Sequence, residues 1–366
     1  MSRTFEYYIG PNHPGIAGNY SIRLEADGDT ILHAEPDFGY LHRAFEKLME
    51  NALYIKNIAI VPRICVADPD INEYCYNDAI ETIAGVEIPD RAKYIRTLML
   101  ELSRIGSHLF NFGGASGTTG LYTMSQWSIG DRDYILDLFE ELTGGRVYHI
   151  YMYPGGVRRD LPEGFEEKVL KIMDYIQKRL ELYDDVMFQN KVFIKRTKGI
   201  GIVPQDKVIE WGATGPVARG SGLAFDVRKD QPYAVYDKLD FDVITETGCD
   251  VYARMMVRRR EVDESIKMVR QIVNDMPKGP YKNQWYNPFK FFLPEGSAYS
   301  KIESSKGEYG YYFVSNGSDK PYRVQVRGAS YPHAITVFKE MMKGARIEDV
   351  ALILQSIDSC PPEVDR

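Results

Sequence analysis

Apolar residues recur along this chain with two different periods, one near its ends and the other through its middle. Residues 5–35 alternate between apolar and polar side chains around Asp27-Gly-Asp29. Residues 308–328 place arms rich in tyrosine, phenylalanine and valine on either side of Ser315-Asn-Gly-Ser318. Alternation around an Asp-Gly or Asn-Gly pair is typical of an antiparallel hairpin. We therefore predict a β-hairpin near each end of the chain.

Between these ends, three stretches carry apolar residues at helical spacing. The three faces consist of Ile95, Leu98, Met99, Leu102, Ile105 and Leu109; of Phe165, Val169, Ile172, Met173, Ile176 and Leu180; and of Val262, Ile266, Val269 and Val273. Residues 277–300 are rich in proline and aromatic residues, which predicts a connector. The fold class predicted is α+β, a mainly α-helical body with small antiparallel sheets at the N-terminal and C-terminal parts.

A length of 366 residues permits one large domain or two ordinary ones. We predict a single domain over residues 1–366, because the two candidate ligand motifs described below must meet. Within it we expect an N-terminal β region at 1–38, a helical body at 39–276, and a C-terminal β-hairpin and helix at 300–366.

Composition narrows the possible partners and compartments. The net charge of −7 at pH 7 gives no reason to expect nucleic acid, whose binding needs clustered positive charge. No apolar run approaches the ~20 residues that span a bilayer, and the first residues lack the apolar core of a signal peptide. The four cysteines are too scattered for a secreted disulfide framework. We expect a cytoplasmic protein whose link to a membrane, if any, comes through partners.

Two short motifs near opposite ends of the chain suggest a former metal site. Cys65-Val-Ala-Asp68 and Cys360-Pro-Pro-Glu363 each pair one thiol with one carboxylate at the spacing of a Cys-x-x-Cys motif. That spacing can place both side chains on one metal ion. On their own, two lone cysteines so far apart are more often buried apolar thiols than ligands.

The surrounding sequence changes this balance, because about ten motifs match one superfamily in order. They are Gly10-Pro-Asn-His-Pro14, Gly39-Tyr-Leu-His-Arg-Ala-Phe-Glu46, Pro62-Arg-Ile-Cys65, Glu101-Leu-Ser-Arg-Ile-Gly-Ser-His108, Pro154-Gly-Gly-Val-Arg158, Gly212-Ala-Thr-Gly-Pro216, Asp226-Val-Arg-Lys-Asp-Gln-Pro-Tyr233, Lys306-Gly-Glu-Tyr-Gly310, Pro321-Tyr-Arg323 and Asp358-Ser-Cys-Pro-Pro-Glu-Val-Asp-Arg366. The chain resembles the [NiFe]-hydrogenase large subunit and the related quinone-pocket (D-type) subunit of respiratory complex I. Within this superfamily it most resembles the large subunit of the archaeal membrane-bound sulfane sulfur reductase.

The resemblance gives the altered ligands a meaning. Nickel and iron in hydrogenases are held by four soft thiolates, and replacing two of them with the hard donors Asp68 and Glu363 should abolish the NiFe centre. Three interpretations are open. The acids are relics in a polar cavity; or Cys65, Cys360, Asp68 and Glu363 bind zinc as a mixed sulfur–oxygen set; or the two thiols act on a sulfur substrate. In the third case Arg63 is the candidate cation that lowers the pKa of Cys65.

The quinone-reducing alternative can be tested on particular positions. In complex I the quinone head group resembles a ligand held between a histidine and a tyrosine. The first histidine of the family's His-Pro-x-x-His pattern is kept as His13, but Ala17 stands at the second and Val66 at the tyrosine. A buried site that loses its polar contacts loses most of its preference for a carbonyl ligand. Quinone reduction is therefore the second interpretation.

The resemblance also assigns roles to other residues. Glu46 matches the glutamate that relays protons from the hydrogenase metal site, so proton delivery is expected of it. Arg43 and His13 match residues near the terminal cluster of complex I, where a cation would raise the cluster potential. His108 lies on the apolar-striped stretch and is predicted to be a structural histidine.

What the resemblance implies for the whole complex is a membrane-bound respiratory oxidoreductase. Electrons from ferredoxin would reach sulfane sulfur such as polysulfide, and the reaction would drive ion translocation. Four dispersed cysteines cannot furnish a Cys₄ set, so no cofactor is expected in this chain and a 4Fe–4S cluster is expected in the adjacent small subunit. Further cluster-carrying subunits and integral-membrane subunits are expected partners, with this chain peripheral on the cytoplasmic face. A catalytically silent scaffold that caps the cluster chain is a further alternative.

Overall fold

The computed structural model describes residues 4–16, 18–283, 285–287 and 290–366. The strands are β1 (Thr4–Ile9), β2 (Ser21–Asp27), β3 (Thr30–Asp37), β4 (Met152–Tyr153), β5 (Gly156–Val157), β6 (Gly296–Ser304), β7 (Gly307–Ser315) and β8 (Arg323–Arg327). Over these ranges they form three small antiparallel sheets, in the orders β1-β2-β3, β4-β5 and β6-β7-β8. Helices supply most of the remaining regular structure, so the α+β prediction is confirmed.

The helices follow one another through the middle and the C-terminal part of the chain. They are α1 (Phe45–Asn51), α2 (Tyr54–Asn57), α3 (Asp70–Ala84), α4 (Asp90–Thr118), α5 (Tyr122–Thr143), α6 (Phe165–Tyr183), α7 (Lys191–Thr197), α8 (Gly215–Arg219), α9 (Val227–Asp230), α10 (Val251–Asn274), α11 (Ser330–Pro332), α12 (Phe338–Met341), α13 (Val350–Ile357) and α14 (Pro361–Asp365). Over the part of the chain that the structure describes, none of them combines the length and the apolar character that crossing a bilayer requires.

The N-terminal sheet contains the predicted hairpin and one further strand. Strands β2 and β3 pair around the turn at Gly28, where a φ of +63° suits glycine. Ile22, Leu24 and Ala26 point inward from β2, and the polar residues between them are exposed. Strand β1 pairs with the other edge of β2 and is exposed over most of its length. This sheet therefore covers one side of the core with a single face.

The three predicted helical faces lie in α4, α6 and α10, and most of their apolar residues are buried. Helices α4 and α10 pack together through charged groups as well as apolar ones. His108 Nε2 of α4 lies 3.0 Å from Glu261 Oε2 of α10, with both side chains buried. Arg219 donates to Glu261 from α8. His108 is thus buried and paired with Glu261, although its Nδ1 has no hydrogen-bond partner in the described ranges. That it is a structural histidine stays a prediction.

Two parts of the chain depart from the predicted boundaries. The helical body contains the β4–β5 pair and a stretch, residues 198–250, in which only short helices occur. Strand β6 starts inside the predicted connector 277–300, so the C-terminal hairpin is in fact a three-stranded sheet. Two of the inward side chains of β6, Ala298 and Ser300, are small or polar. An apolar alternation was therefore too weak to mark this strand.

The C-terminal residues are held against the N-terminal part of the chain. The Asp365 carboxylate accepts hydrogen bonds from the backbone amides of Gly39 at 2.9 Å and Leu41 at 2.8 Å. Nearby, Gly18 has a φ of +99°, and a Cβ there would stand 2.2 Å from Pro361 Cγ. One connected set of buried apolar residues runs from Ile9 to Ile357. Single-domain organisation stays a prediction, but the two ends of the chain do meet.

Candidate thiol site

The two candidate motifs come together although they are almost a chain length apart. Cys65 follows a 3₁₀ turn, Val61–Ile64, and precedes α3. Cys360 lies between α13 and α14, just after Asp358, whose φ of +53° turns the chain back. The sulfurs of Cys65 and Cys360 and a carboxylate oxygen of Glu363 all lie within 4.8 Å of one another, and all three residues are buried. We call these three residues the thiol cluster.

Ser330 fixes the C-terminal half of the cluster. Its hydroxyl accepts from the Cys360 amide at 3.0 Å, and its own amide donates to Glu363 Oε1 at 2.8 Å. Gly328 leaves room for this approach, because a Cβ there would stand 2.2 Å from Glu363 Oε1. Glu363 Oε2 is buried and has no hydrogen-bond partner in the described ranges. Burial raises the pKa of Glu363 above its ordinary value.

The cation beside the thiols is Lys306, a residue to which the sequence analysis gave no role. Its ammonium donates to Cys65 Sγ at 3.1 Å, and its side chain is 1 % exposed. Arg63, the predicted cation, is exposed and lies over the ring of Tyr148 at 5.2 Å. The cation that contacts Cys65 is therefore Lys306 and not Arg63, and an effect of Arg63 on the thiol pKa stays a prediction. The signal for Lys306 was its place in the matched motif Lys306-Gly-Glu-Tyr-Gly310.

The two thiols titrate as a pair. A hydrogen bond from Cys65 to the Cys360 sulfur raises the pKa of Cys65, which burial raises further. The same hydrogen bond lowers the pKa of Cys360; burial opposes this effect, and the Lys306 charge adds to it. The pair therefore gives up its first proton more readily than an ordinary thiol does. The thiolate that the pair forms is a stronger nucleophile than the thiol.

Asp68 stands apart from the thiol cluster. One of its oxygens accepts from Ser103 Oγ at 3.0 Å, and the other accepts from the Ser305 amide at 3.0 Å. Three ligand atoms rather than four thus converge, and the Lys306 ammonium touches one of them. These residues fit neither the four-thiolate set of a NiFe centre nor the mixed four-ligand zinc site.

A cavity of about 530 Å³ opens next to the cluster. Cys360, Lys306 and Asp358 contribute the thiol and the charged groups of its lining, and most of its exposed wall area is apolar. Its lining is completed by Gly18, Asn19, Leu41, Val66, Ala67, Phe110, Gly113, Gly114, Ser125, Ile129, Gln355, Ser359, Pro361 and Pro362. Val66, which stands where the family has its quinone tyrosine, faces this cavity, while Ala17 lies outside the described residues. The cavity can hold a small, mostly apolar molecule against the Cys360 sulfur.

Comparison with known proteins decides the family. The model of the respiratory-chain NADH dehydrogenase 49 kDa subunit matches residues 118–290 and 287–366. The chain is 48% identical over 361 residues to the D-type subunit of NADH-quinone oxidoreductase from Thermosipho melanesiensis, covering 98% of each sequence. The chain belongs to the 49 kDa subunit family of complex I. It is therefore related to subunits of membrane-bound respiratory oxidoreductases.

Two further relatives carry different names. The corresponding subunit of the F(420)H(2) dehydrogenase of Methanosarcina mazei is 40% identical over 363 residues, covering 98% of this chain and 97% of that protein. Among solved structures, a chain of the membrane-bound sulfane sulfur reductase, an archaeal respiratory membrane complex, matches with a TM-score of 0.96. It is 42% identical and covers 99% of this chain and 98% of that one. The family thus includes complexes that are named for different substrates.

Glu46, the predicted proton relay, lies in the first turn of α1. Its Oε1 accepts from the Val326 amide at 2.8 Å and lies 3.3 Å from Arg366 Nε. Its other oxygen is 3.6 Å from Arg323. Glu46 therefore joins α1, strand β8 and the C-terminal residue. Its role as a proton relay stays a prediction.

The residues predicted to lie near a partner's cluster are at the surface. Arg43 is exposed, donates to the Arg63 carbonyl at 3.0 Å and packs over the ring of Phe45 at 4.3 Å. His13 is exposed, and its Nδ1 accepts from the Gly15 amide at 3.1 Å. Arg43 and Arg63 thus form an exposed basic pair beside the segment that leads to Cys65.

A buried acid–histidine group just beyond Cys65 was not predicted from the sequence. Asp70 begins α3, and its Oδ1 lies 2.8 Å from His149 Nδ1. Glu73, one turn later, accepts from the amides of residues 150, 151 and 152 at 2.6, 2.8 and 2.9 Å. Burial, then the charge of Asp70, raises the pKa of Glu73 to about 7. The only sequence signal was the pair of acids in the first turn of a predicted helical region.

Proposed function

We propose that this subunit carries the site at which a membrane-bound respiratory complex reduces sulfane sulfur, such as polysulfide. The observation that carries the proposal is the meeting of the Cys65 and Cys360 sulfurs beside a cavity that Cys360 lines. The lowered pKa of Cys360 also favours its thiolate. Thiolates attack sulfur–sulfur bonds readily. The full-length similarity to a chain of the sulfane sulfur reductase supports the same assignment.

The chemistry follows from thiol–disulfide exchange. The Cys360 thiolate attacks a sulfane R–S–S–R′, forms Cys360–S–S–R and releases R′–S⁻. The Cys65 thiolate then attacks the Cys360 sulfur, forms a Cys65–Cys360 disulfide and releases R–S⁻. Two electrons and two protons restore both thiols, so that each turnover converts R–S–S–R′ into two thiols. If the whole R–S group is one terminal sulfur, so that R is only a hydrogen, the first product on Cys360 is a persulfide, and its resolution by Cys65 releases hydrosulfide.

The reaction needs partner subunits that supply electrons, because the four dispersed cysteines of this chain do not form a Cys₄ set for an iron–sulfur cluster. Electrons would arrive one at a time from a 4Fe–4S cluster in an adjacent small subunit, which is fed by further cluster-carrying subunits and by reduced ferredoxin. The exposed pair Arg43 and Arg63 is a suitable docking edge for that small subunit, since it flanks the segment before Cys65. Integral-membrane subunits would translocate ions and hold this chain at the cytoplasmic face. No nickel is expected in such a complex.

The direct test replaces the thiols one at a time. We expect Cys65→Ala and Cys360→Ala to lower the rate of polysulfide reduction by at least about tenfold in the purified complex. The physical reason is that each thiol has its own step, attack for one and resolution for the other. Sulfide release with a reduced low-potential donor measures the rate, and iron content with electron paramagnetic resonance checks the clusters.

Cys249→Ala is the matched control, because Cys249 is only half-buried and lies outside the cluster. It should leave the rate unchanged. If both cluster variants reduce polysulfide normally while their clusters stay intact, the thiols are bystanders. The chain would then be a scaffold, and sulfur would react directly at the partner's cluster.

Quinone reduction is the second candidate function. Two observations favour it: the mostly apolar cavity, and the name of the relative with 48% identity. Polysulfide and a soluble quinone should be compared with the same reduced donor and the same preparation. Rapid quinone reduction without any response to polysulfide would establish the second candidate and exclude the first.

A further inference from the structure

The thiol cluster contains a cation of its own. The Lys306 ammonium is buried and lies 3.1 Å from the Cys65 sulfur. Asp358 and Cys360 line the same cavity as Lys306, and the Glu363 carboxylate lies in the cluster beside it. A buried ammonium is costly unless it faces negative groups. This lysine therefore stays charged among the groups that would otherwise bind a metal.

We propose that Lys306 takes the place of a metal ion in this protein: its ammonium balances the charge of the thiol cluster and excludes divalent cations from it. The geometry supports this exclusion directly. A zinc ion would lie ~2.3 Å from the Cys65 sulfur, so it could be no farther than about 5.4 Å from the lysine nitrogen. Two like charges at that distance in a buried site repel each other with little screening.

A second feature supports the same role, since the turn that carries Lys306 is rigid. Ser304 Oγ accepts from the amides of Lys306 and Gly307, both at 3.1 Å. Gly307 has a φ of +138°, and its Cα would be 2.4 Å from a Cβ placed on Gly215. The turn is thus clamped from both sides. The backbone of Lys306 is therefore held beside the thiol cluster, within reach of the Cys65 sulfur.

Asp68 completes this arrangement. Its Oδ2 accepts from the amide of Ser305, the residue directly before Lys306, at 3.0 Å. A side chain at a candidate ligand position therefore holds the turn of the replacing cation instead of binding metal. Asp68 acts here as a positioning residue. The inference does not depend on which substrate the site reduces, because charge balance and metal exclusion are properties of the resting cluster.

The test measures zinc, not turnover. The purified complex, with this chain uncut, is incubated with micromolar zinc chloride and desalted. Its zinc content is then measured by mass spectrometry. The variants are Lys306→Met, which keeps the length without the charge, and Lys306→Arg, which keeps the charge. Cys360→Ser gives the background from zinc bound elsewhere, and the double variant Lys306→Met/Cys360→Ser shows whether any gain depends on the cluster.

We expect wild type and Lys306→Arg to hold no zinc above the Cys360→Ser background. Lys306→Met should gain about one zinc per chain, and the double variant should lose it. Zinc should also protect Cys360 from iodoacetamide by at least about tenfold in Lys306→Met, but not in wild type, as measured on its peptide by mass spectrometry.

The proposal is overturned if the wild-type complex holds more zinc than Cys360→Ser does, whatever the lysine variants show. It would also fail if Lys306→Met folds with wild-type melting behaviour and still gains no zinc. Neither result bears on sulfane reduction, which the cysteine variants test separately.

Discussion

Around Cys65, residues that are neighbours in the sequence point in different directions, and only some of them reach the thiol cluster. The 3₁₀ turn buries Val61 and Ile64 in the core and leaves Arg63 in solvent, after which the extended backbone at Cys65 directs its sulfur inward. Three residues later Asp68 is buried too, but Ser103 and Ser305 occupy both its oxygens. A spacing of three thus brings a side chain near a site without making it a ligand.

At this scale, Glu46 is the residue whose role is easiest to separate by mutation. Glu46→Gln keeps an oxygen that can accept from the Val326 amide but removes the charge facing Arg366 and Arg323. If Glu46 returns protons to the reduced sulfur, turnover should fall about tenfold or more, with an altered pH profile. Initial rates between pH 6 and 9 measure both.

Glu50→Gln is the matched control on the same helix, since Glu50 also faces Arg323, at 2.9 Å. It should keep the wild-type rate and pH profile. Equal behaviour of the two variants would mean that Glu46 serves only to tie α1 to strand β8 and the C-terminus.

The residues of the site that could be predicted from the sequence are those that belong to the two short ligand motifs. Cys65, Cys360 and Glu363 meet as expected, because both short motifs follow turns that end at the same place. Lys306 was not predicted, since it enters from the β6–β7 turn of a sheet whose first strand left no apolar alternation. Charge contacts across such distances depend on tertiary packing, and no local pattern records them.

Among the elements, the start of α3 does the most to shape the region beyond Cys65. Glu73 accepts hydrogen bonds from the three consecutive backbone amides of residues 150–152. Of these three residues only Met152 belongs to a strand, β4. Asp70 holds His149 just before that segment. One helical turn therefore replaces a strand in satisfying a buried loop.

This arrangement predicts a local effect of Glu73→Ala. Each buried donor left unpaired costs about 1–3 kcal/mol, and ~1.4 kcal/mol corresponds to a tenfold change in an equilibrium. Amide hydrogen exchange of residues 150–152 should accelerate at least about tenfold, as measured by mass spectrometry on the intact complex. Glu87→Ala, an exposed acid after the same helix, is the control and should change nothing there. Unchanged exchange in Glu73→Ala would mean that packing alone holds the segment.

Elements with strong periodicity were predicted well, and the others were not. Helices α4, α6 and α10 bury the faces that their spacing indicated, because an apolar stripe has one stable orientation against a core. Residues 198–250 lack such a stripe, and their short helices are set by turns and buried charges such as the pair Arg219–Glu261. Tertiary contacts outweigh local propensity there.

At the scale of the whole molecule, the thiol cluster exists only because the chain closes on itself. The motif of Cys360 is carried by the last residues, and Asp365 fastens them to the amides of Gly39 and Leu41. Gly18 and Pro361 pack closely at the same place. The shape of the cavity and the geometry of the cluster therefore depend on contacts between the N-terminal and C-terminal parts of the chain as well as on the helical body.

The final prediction tests this closure through Asp365→Ala. The backbone amides of Gly39 and Leu41 lose the carboxylate that accepts their hydrogen bonds, so α14 should detach more often from the 39–41 segment. Iodoacetamide should then modify Cys360 about tenfold faster. Mild oxidation should form the Cys65–Cys360 disulfide more slowly than in wild type, because the sulfurs spend less time within 4.8 Å of each other, as they are in the native cluster. Peptide mass spectrometry measures both products in one sample.

Asp365→Asn is the matched control, because its amide retains one acceptor oxygen. Both of its rates should fall between those of wild type and Asp365→Ala. Since faster alkylation alone could reflect general loosening, the opposite changes in the two rates are what identify loss of chain closure, and a parallel rise in both would contradict it.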